Sequence, residues 1–124
     1  MNFDDAIRAH AEWKVRIQKY LKHPDGSINV DDLEQDNLCL LGKWLYGEGE
    51  SYNAIEEYEE LRDVHKHFHK TASNILKRKN QGEEIEAELV LGSSSDYAKY
   101  STDIMKLLVK IKVKVSMQKM WEQH

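Results

Sequence analysis

His65 and His69 stand four residues apart in the segment with the clearest helical periodicity, so their imidazoles share one helix face about one turn apart and can close on a single metal ion. Such a pair is half a site, and six histidines in 124 residues will sometimes fall at that spacing by chance. Two further donors lie in segments that read as buried. His10 precedes Trp13 by three positions, and Cys39 precedes Gly42 by three and Trp44 by five. Zinc favours four nitrogen and sulfur donors, and His10, Cys39, His65 and His69 would supply three imidazoles and one thiolate from three different helices. Spacing alone leaves plainer alternatives open: Cys39 as a small buried hydrophobe, and His10 as a core histidine bonded to a backbone carbonyl.

The elements that must position these donors read as helices. From Asn2 to Lys22, Phe3, Ala6, Ile7, Trp13, Ile17, Tyr20 and Leu21 recur at helical spacing, with Asn2 placed as N-cap and Asp4 and Asp5 in the dipole-favoured first turn. His23-Pro24-Asp25-Gly26 ends this helix, and a polar connector runs to about Asp36. Asn37 to Tyr46 is a short, largely buried helix closed by Gly47-Glu48-Gly49. Asn53 to about Gln81 holds no Gly or Pro and is a long helix with Gly82 as its C-cap. Apolar phase then runs from Ile85 to Val115 without slipping through Gly92-Ser93-Ser94-Ser95, which predicts one long, kinked helix. The alternation of Val109, Ile111, Val113 and Val115 with lysines is strand-like but has no strand to pair with. The sum is an all-α chain, an antiparallel four-helix bundle with a short second helix, forming one domain over residues 1–124.

Composition narrows the function. A net charge of −4, from 18 Lys and Arg against 22 Asp and Glu, gives no general attraction to nucleic acid or to an anionic membrane. No apolar run approaches the ~20 residues of a transmembrane helix, and Met1-Asn2-Phe3-Asp4-Asp5 is acidic where a signal peptide would be basic, so the expected location is cytoplasmic. The lone cysteine rules out an internal disulfide and fits a reducing compartment.

His10-x-x-Trp13, then Cys39-x-Leu41-Gly42-x-Trp44, then His65-x-x-Phe68-His69 resemble, in order and approximate separation, the chemoreceptor zinc-binding domain of bacteria. The resemblance implies a four-helix bundle, often homodimeric, attached to cytoplasmic chemoreceptors or diguanylate cyclases. It also implies that His10, Cys39, His65 and His69 bind Zn2+. No methyl-accepting hairpin, cyclase or other output domain lies within these 124 residues, so the resemblance implies a sensory or regulatory module without naming what it regulates. Free-standing and excised forms both stay open, as does an output domain or protein acting in trans. Oxidation of a zinc-binding Cys39 thiolate would weaken or eject the ion, so the expected signal is zinc, an oxidant acting at Cys39, or both.

Other readings have weaker support. Asp25-Gly26-Ser27-Ile28 ending at Asp32 imitates half of a calcium loop, but Leu21 and His23 fall where oxygen ligands are required. Glu48, Glu50, Glu56, Glu57, Glu59, Glu60 and Asp63 read as a solvated face or as a means of steering zinc. His67 points away from the His65 and His69 side, and Trp121 with Met117 and Met120 reads equally as a contact surface or as core. A zinc hydrolase needs an open coordination position that a fourth protein ligand closes, and no catalytic motif is present, so no enzymatic activity is expected. The alternatives are a hemerythrin-like di-iron bundle, for which Glu12 and Asp63 lie off ligand spacing, and a purely structural zinc-stabilised dimerisation module.

Overall fold

A computed structural model describes residues 3–24, 26–86 and 90–122, with side chains up to residue 117. Asn2, Asp25 and His124, and the side chains of Met120 and Trp121, lie outside this range. All regular structure among the described residues is helical: α1 (Phe3–Lys22), α2 (Val30–Glu34), α3 (Leu40–Leu45), a 3-10 turn (Glu48–Tyr52), α4 (Glu56–Asn80) and α5 (Asp96–Glu122).

The all-α expectation is met, but the count differs from four. The connector before Asp36 carries α2, a single turn that sequence periodicity is too short to register. Asn29 caps it, with its side chain accepting from the Asp32 N–H at 3.1 Å. A larger difference falls in the last third, where the expected continuous helix breaks over residues 91–95. Ser95 is the reason. Its hydroxyl donates to the Gly92 carbonyl at 2.6 Å and accepts the Ala98 N–H at 3.1 Å, so it caps a new helix. The face itself also shifts: Tyr97 and Ser101, not Asp96 and Tyr100, are buried ahead of Ile104, Leu107, Leu108, Ile111 and Val115.

The end of α4 follows expectation. Gly82, at φ +86°, donates to the Lys79 carbonyl while Glu83 donates to Arg78, the paired bonds of a Schellman stop. The three long helices form the frame. α5 runs antiparallel to α1, as the Lys112–Asp4 and His10–Ser101 contacts require, and antiparallel to α4 through Lys114–Glu57, His67–Tyr100 and Phe68–Tyr97. Glu57 is thus taken out of the expected solvated acidic face and paired across the α4–α5 interface. α2 packs on α4, and α3 packs on α1 and the 3-10 turn.

Candidate metal centre

Cys39 is the N-cap of α3, and its sulfur accepts the Gly42 N–H at 3.3 Å. That turn is possible only with glycine at 42, where an added Cβ would meet the Asp36 carbonyl oxygen at 1.8 Å. The chain therefore folds back on itself at Asp36–Asn37 and aims Sγ towards α4. There it stands 3.3 Å from His65 Nε2 and 3.4 Å from His69 Nε2, with the two nitrogens 3.0 Å apart. Zinc bonds of about 2.3 Å to sulfur and about 2.0–2.1 Å to nitrogen, at tetrahedral angles, separate such donors by about 3.5 Å and 3.3 Å. The three donors lie within a few tenths of an ångström of those separations.

The ring of His69 is fixed by a second contact. Its Nδ1 stands 2.7 Å from the Leu33 carbonyl at the end of α2, and a carbonyl can only accept, so Nδ1 carries the proton and Nε2 offers its lone pair to the cluster. His65 Nδ1 is buried with no hydrogen-bond partner among the described residues.

His10 lines the same small cavity of about 10 Å³ as Cys39, His65 and His69, but it stands outside the three-donor cluster. Its Nε2 is 3.0 Å from the Ser101 hydroxyl, and its ring packs edge-on against Phe68. The structure thus brings three of the four expected residues together and leaves the fourth at the cavity wall, hydrogen-bonded to α5. His67 is exposed and stays apart, with Nδ1 on the Asp63 carbonyl at 2.7 Å.

Burial keeps the three imidazoles neutral, the form in which they can bind a metal. Burial, then neighbouring Lys14 and His69, lowers the His10 pKa to about 4. Burial, then His69 and His10, holds His65 well below the ordinary imidazole value. His69 is lowered by burial and partly restored by Leu33 and Asp36. Burial raises the Cys39 thiol against the pull of nearby backbone N–H groups, so a bound metal would have to displace its proton.

Two contributors escaped the sequence reading. The Leu33 carbonyl is backbone and leaves no side-chain signal. Ser101 did leave one, as a lone hydroxyl inside the stripe Tyr97, Ser101, Ile104 and Leu108.

With this geometry in place, comparison with known proteins gives one positive result. The chemoreceptor zinc-binding domain matches residues 10–76, more than half of the chain, and the protein belongs to that family. The match begins at His10 and includes Cys39, His65 and His69. Neither the curated proteins nor the solved structures gave a significant match.

Proposed function

We propose that this chain is a zinc-binding sensory or regulatory domain that holds Zn2+ with His10, Cys39, His65 and His69. The observation that carries the reading is the buried Cys39, His65 and His69 cluster, three N and S donors at zinc-compatible separations inside the segment that defines the family. His10 joins as the fourth ligand by leaving Ser101, since it lines the same cavity as the three clustered donors. Four protein donors close the coordination shell, so the metal serves as a structural and regulatory element and not as an activator of water. A hemerythrin-like di-iron centre has less support, because no carboxylate joins the donor cluster among the described residues.

In this reading residues 1–124 act as one cytoplasmic domain, with α2 and α3 forming the fourth side of an antiparallel bundle. Metal bound between α1, α3 and α4 ties the short helices to the long ones. Its loss, by zinc depletion or by oxidation of the Cys39 sulfur, frees α3 and transmits the signal in bacterial chemotaxis or cyclic-di-GMP type pathways. A homodimer is supported by Val109, Val113 and Met117, exposed apolar residues stepping by four along α5. No helix among the described residues is long and apolar enough to cross a membrane.

Elemental analysis of the purified protein tests the reading. One zinc per chain is expected, lost on replacing Cys39, His65 or His69 and strongly weakened in His10→Ala. Iron in place of zinc, or full zinc retention in Cys39→Ala, refutes it.

A further inference from the structure

A second cavity, of about 250 Å³, opens beside the donor cluster between α1 and α2. Trp13, Cys39 and His69 line both cavities, whereas His10 and His65 line only the inner one. Cys39 and His69 therefore form part of the partition between the buried cluster and a vestibule wide enough for a molecule of amino-acid size. The charges around the vestibule are of both signs. Arg16 lies on the exposed side of α1 with its guanidinium 4.2 Å over the Trp13 ring, and among the described residues it has no carboxylate partner. Asp32, exposed on α2, lines the same cavity, as does Asn29.

We infer that this vestibule receives a small zwitterionic chelator, an amino acid whose side chain carries an imidazole or a thiol, and that metal exchange proceeds through it from the Cys39 and His69 side. The inference rests on the metal reading above. Arg16 takes the ligand's carboxylate, Asp32 its ammonium group, and the ring or sulfur faces the partition. An incoming imidazole lone pair would take the place of Cys39 Sγ or His69 Nε2 as a donor, the freed Cys39 thiolate taking up a proton from solvent, whereas an incoming thiol would pass its own proton to Cys39 as the two sulfurs exchange. His10 and His65, reached only from the inner cavity, are the last ligands to let go. Holding the chelator by its charged ends turns a bimolecular attack into one made at high local concentration.

The test follows zinc release from the loaded protein into a fixed excess of a chromophoric acceptor, with free histidine or imidazole added at matched concentrations. Histidine is expected to speed release at least about tenfold more than imidazole, with a rate that saturates as the vestibule fills. Arg16→Gln and Asp32→Asn should each cut the histidine effect about fivefold, the worth of one accessible charge contact, and leave the imidazole effect unchanged. Arg8→Gln makes the same charge change elsewhere on α1, where Arg8 faces Asp5 at 3.7 Å, and should behave as the parent does. Equal acceleration by histidine and imidazole, or a histidine advantage that survives both vestibule substitutions, overturns the inference. A parent that carries no zinc at all overturns instead the metal reading on which it rests.

Discussion

The α4–α5 interface and the segment from Asn29 to Gly47 are held together by different means. Along α5, Tyr97, Ile104, Leu107, Leu108, Ile111 and Val115 are buried against the long helices. That is apolar packing spread over several turns, and no single contact decides it. The Asn29–Gly47 segment contains helices of five and six residues, far below the length at which a helix persists alone. Its short helices are anchored by Leu33, Leu41, Trp44 and Leu45 in the core, and their turns are fixed by discrete polar contacts: the Asn29 and Cys39 caps, Tyr46 donating to the Asp36 carboxylate, and Tyr58 donating to the Leu45 carbonyl. The donor cluster sits where these two kinds of structure meet. One region therefore rests on packing repeated over many turns, and the other on short turns fixed beside the donor cluster, where in the proposed function a bound metal would add to their order.

The largest expected effects come from breaking each region by its own means. Leu108→Ala empties a fully buried position and should cost about 3 kcal/mol of unfolding free energy in denaturant titration, while the surviving folded protein keeps its zinc affinity. Gly42→Ala drives a Cβ into the Asp36 backbone and should cost a similar ~3 kcal/mol or more, or else unfold the α3 turn locally. Its signature is different: zinc affinity falls with it, because the same turn aims Cys39 Sγ at α4. Gly82→Ala serves as the control, since its Cβ meets nothing and only the positive φ is penalised, at about 1 kcal/mol.

Acid separates the regions next, in the metal-free protein. His10 has its pKa lowered from 6.5 to about 4, and His65 and His69 are shifted the same way. The unfolded chain then binds protons that the folded chain refuses. Stability is complete above pH 6.5 and declines as pH falls towards 4, with His10 alone worth on the order of 3 kcal/mol from its shift. Denaturant midpoints between pH 7 and 4 should show this fall, and His10→Gln should flatten it. An unchanged slope in that variant would remove His10 from the account.

What the sequence made legible follows the same division. Helices α1 and α4 show in the sequence because many turns repeat one periodicity, and the His65 and His69 pair shows because both residues ride on one of them. Helix α2 is too short for any period to register. The break at residues 91–95 is hidden for the opposite reason: apolar spacing in the sequence runs across it, although the buried face moves to Tyr97 and Ser101, and the deciding signal is a local one, the Ser95 cap. At the site, Cys39 and His10 are visible as residue types. That Cys39 turns inward depends on the backbone contact at Gly42, and that His10 meets Ser101 depends on the packing of two helices that brings together residues 91 apart in sequence.

Zinc itself sharpens the comparison further. At free zinc 100-fold above its dissociation constant, binding to the folded state alone should add about 2.7 kcal/mol. Hydrogen exchange should show new protection over residues 29–47 and little change within the buried stretch of α5. His65→Ala should abolish both the gain and the protection, whereas His67→Ala, exposed and apart from the cluster, should leave them intact. Loss of zinc in His67→Ala equal to that in His65→Ala would mean that the face assigned to α4 is wrong.

The smallest effects concern the charges of α5, and they ask whether that helix is held by packing alone. Lys112 meets Asp4 at 2.7 Å, but the two side chains are 45% and 65% exposed, so water screens the pair and holding it costs side-chain entropy. Lys112→Ala should change stability by under about 0.5 kcal/mol, and the difference should vanish in high salt. Lys114 meets Glu57, whose side chain is only 11% exposed and whose carboxyl is held below its ordinary pKa chiefly by the hydrogen bond from Lys114. Glu57→Gln keeps the shape and removes the charge, and its cost should exceed that of Lys112→Ala. Both substitutions should leave zinc affinity unchanged, because neither pair touches the cluster. A loss of several kcal/mol from either would show that charge, and not apolar packing, carries the α4–α5 side of the molecule, and the contrast with the capped segment would fail there.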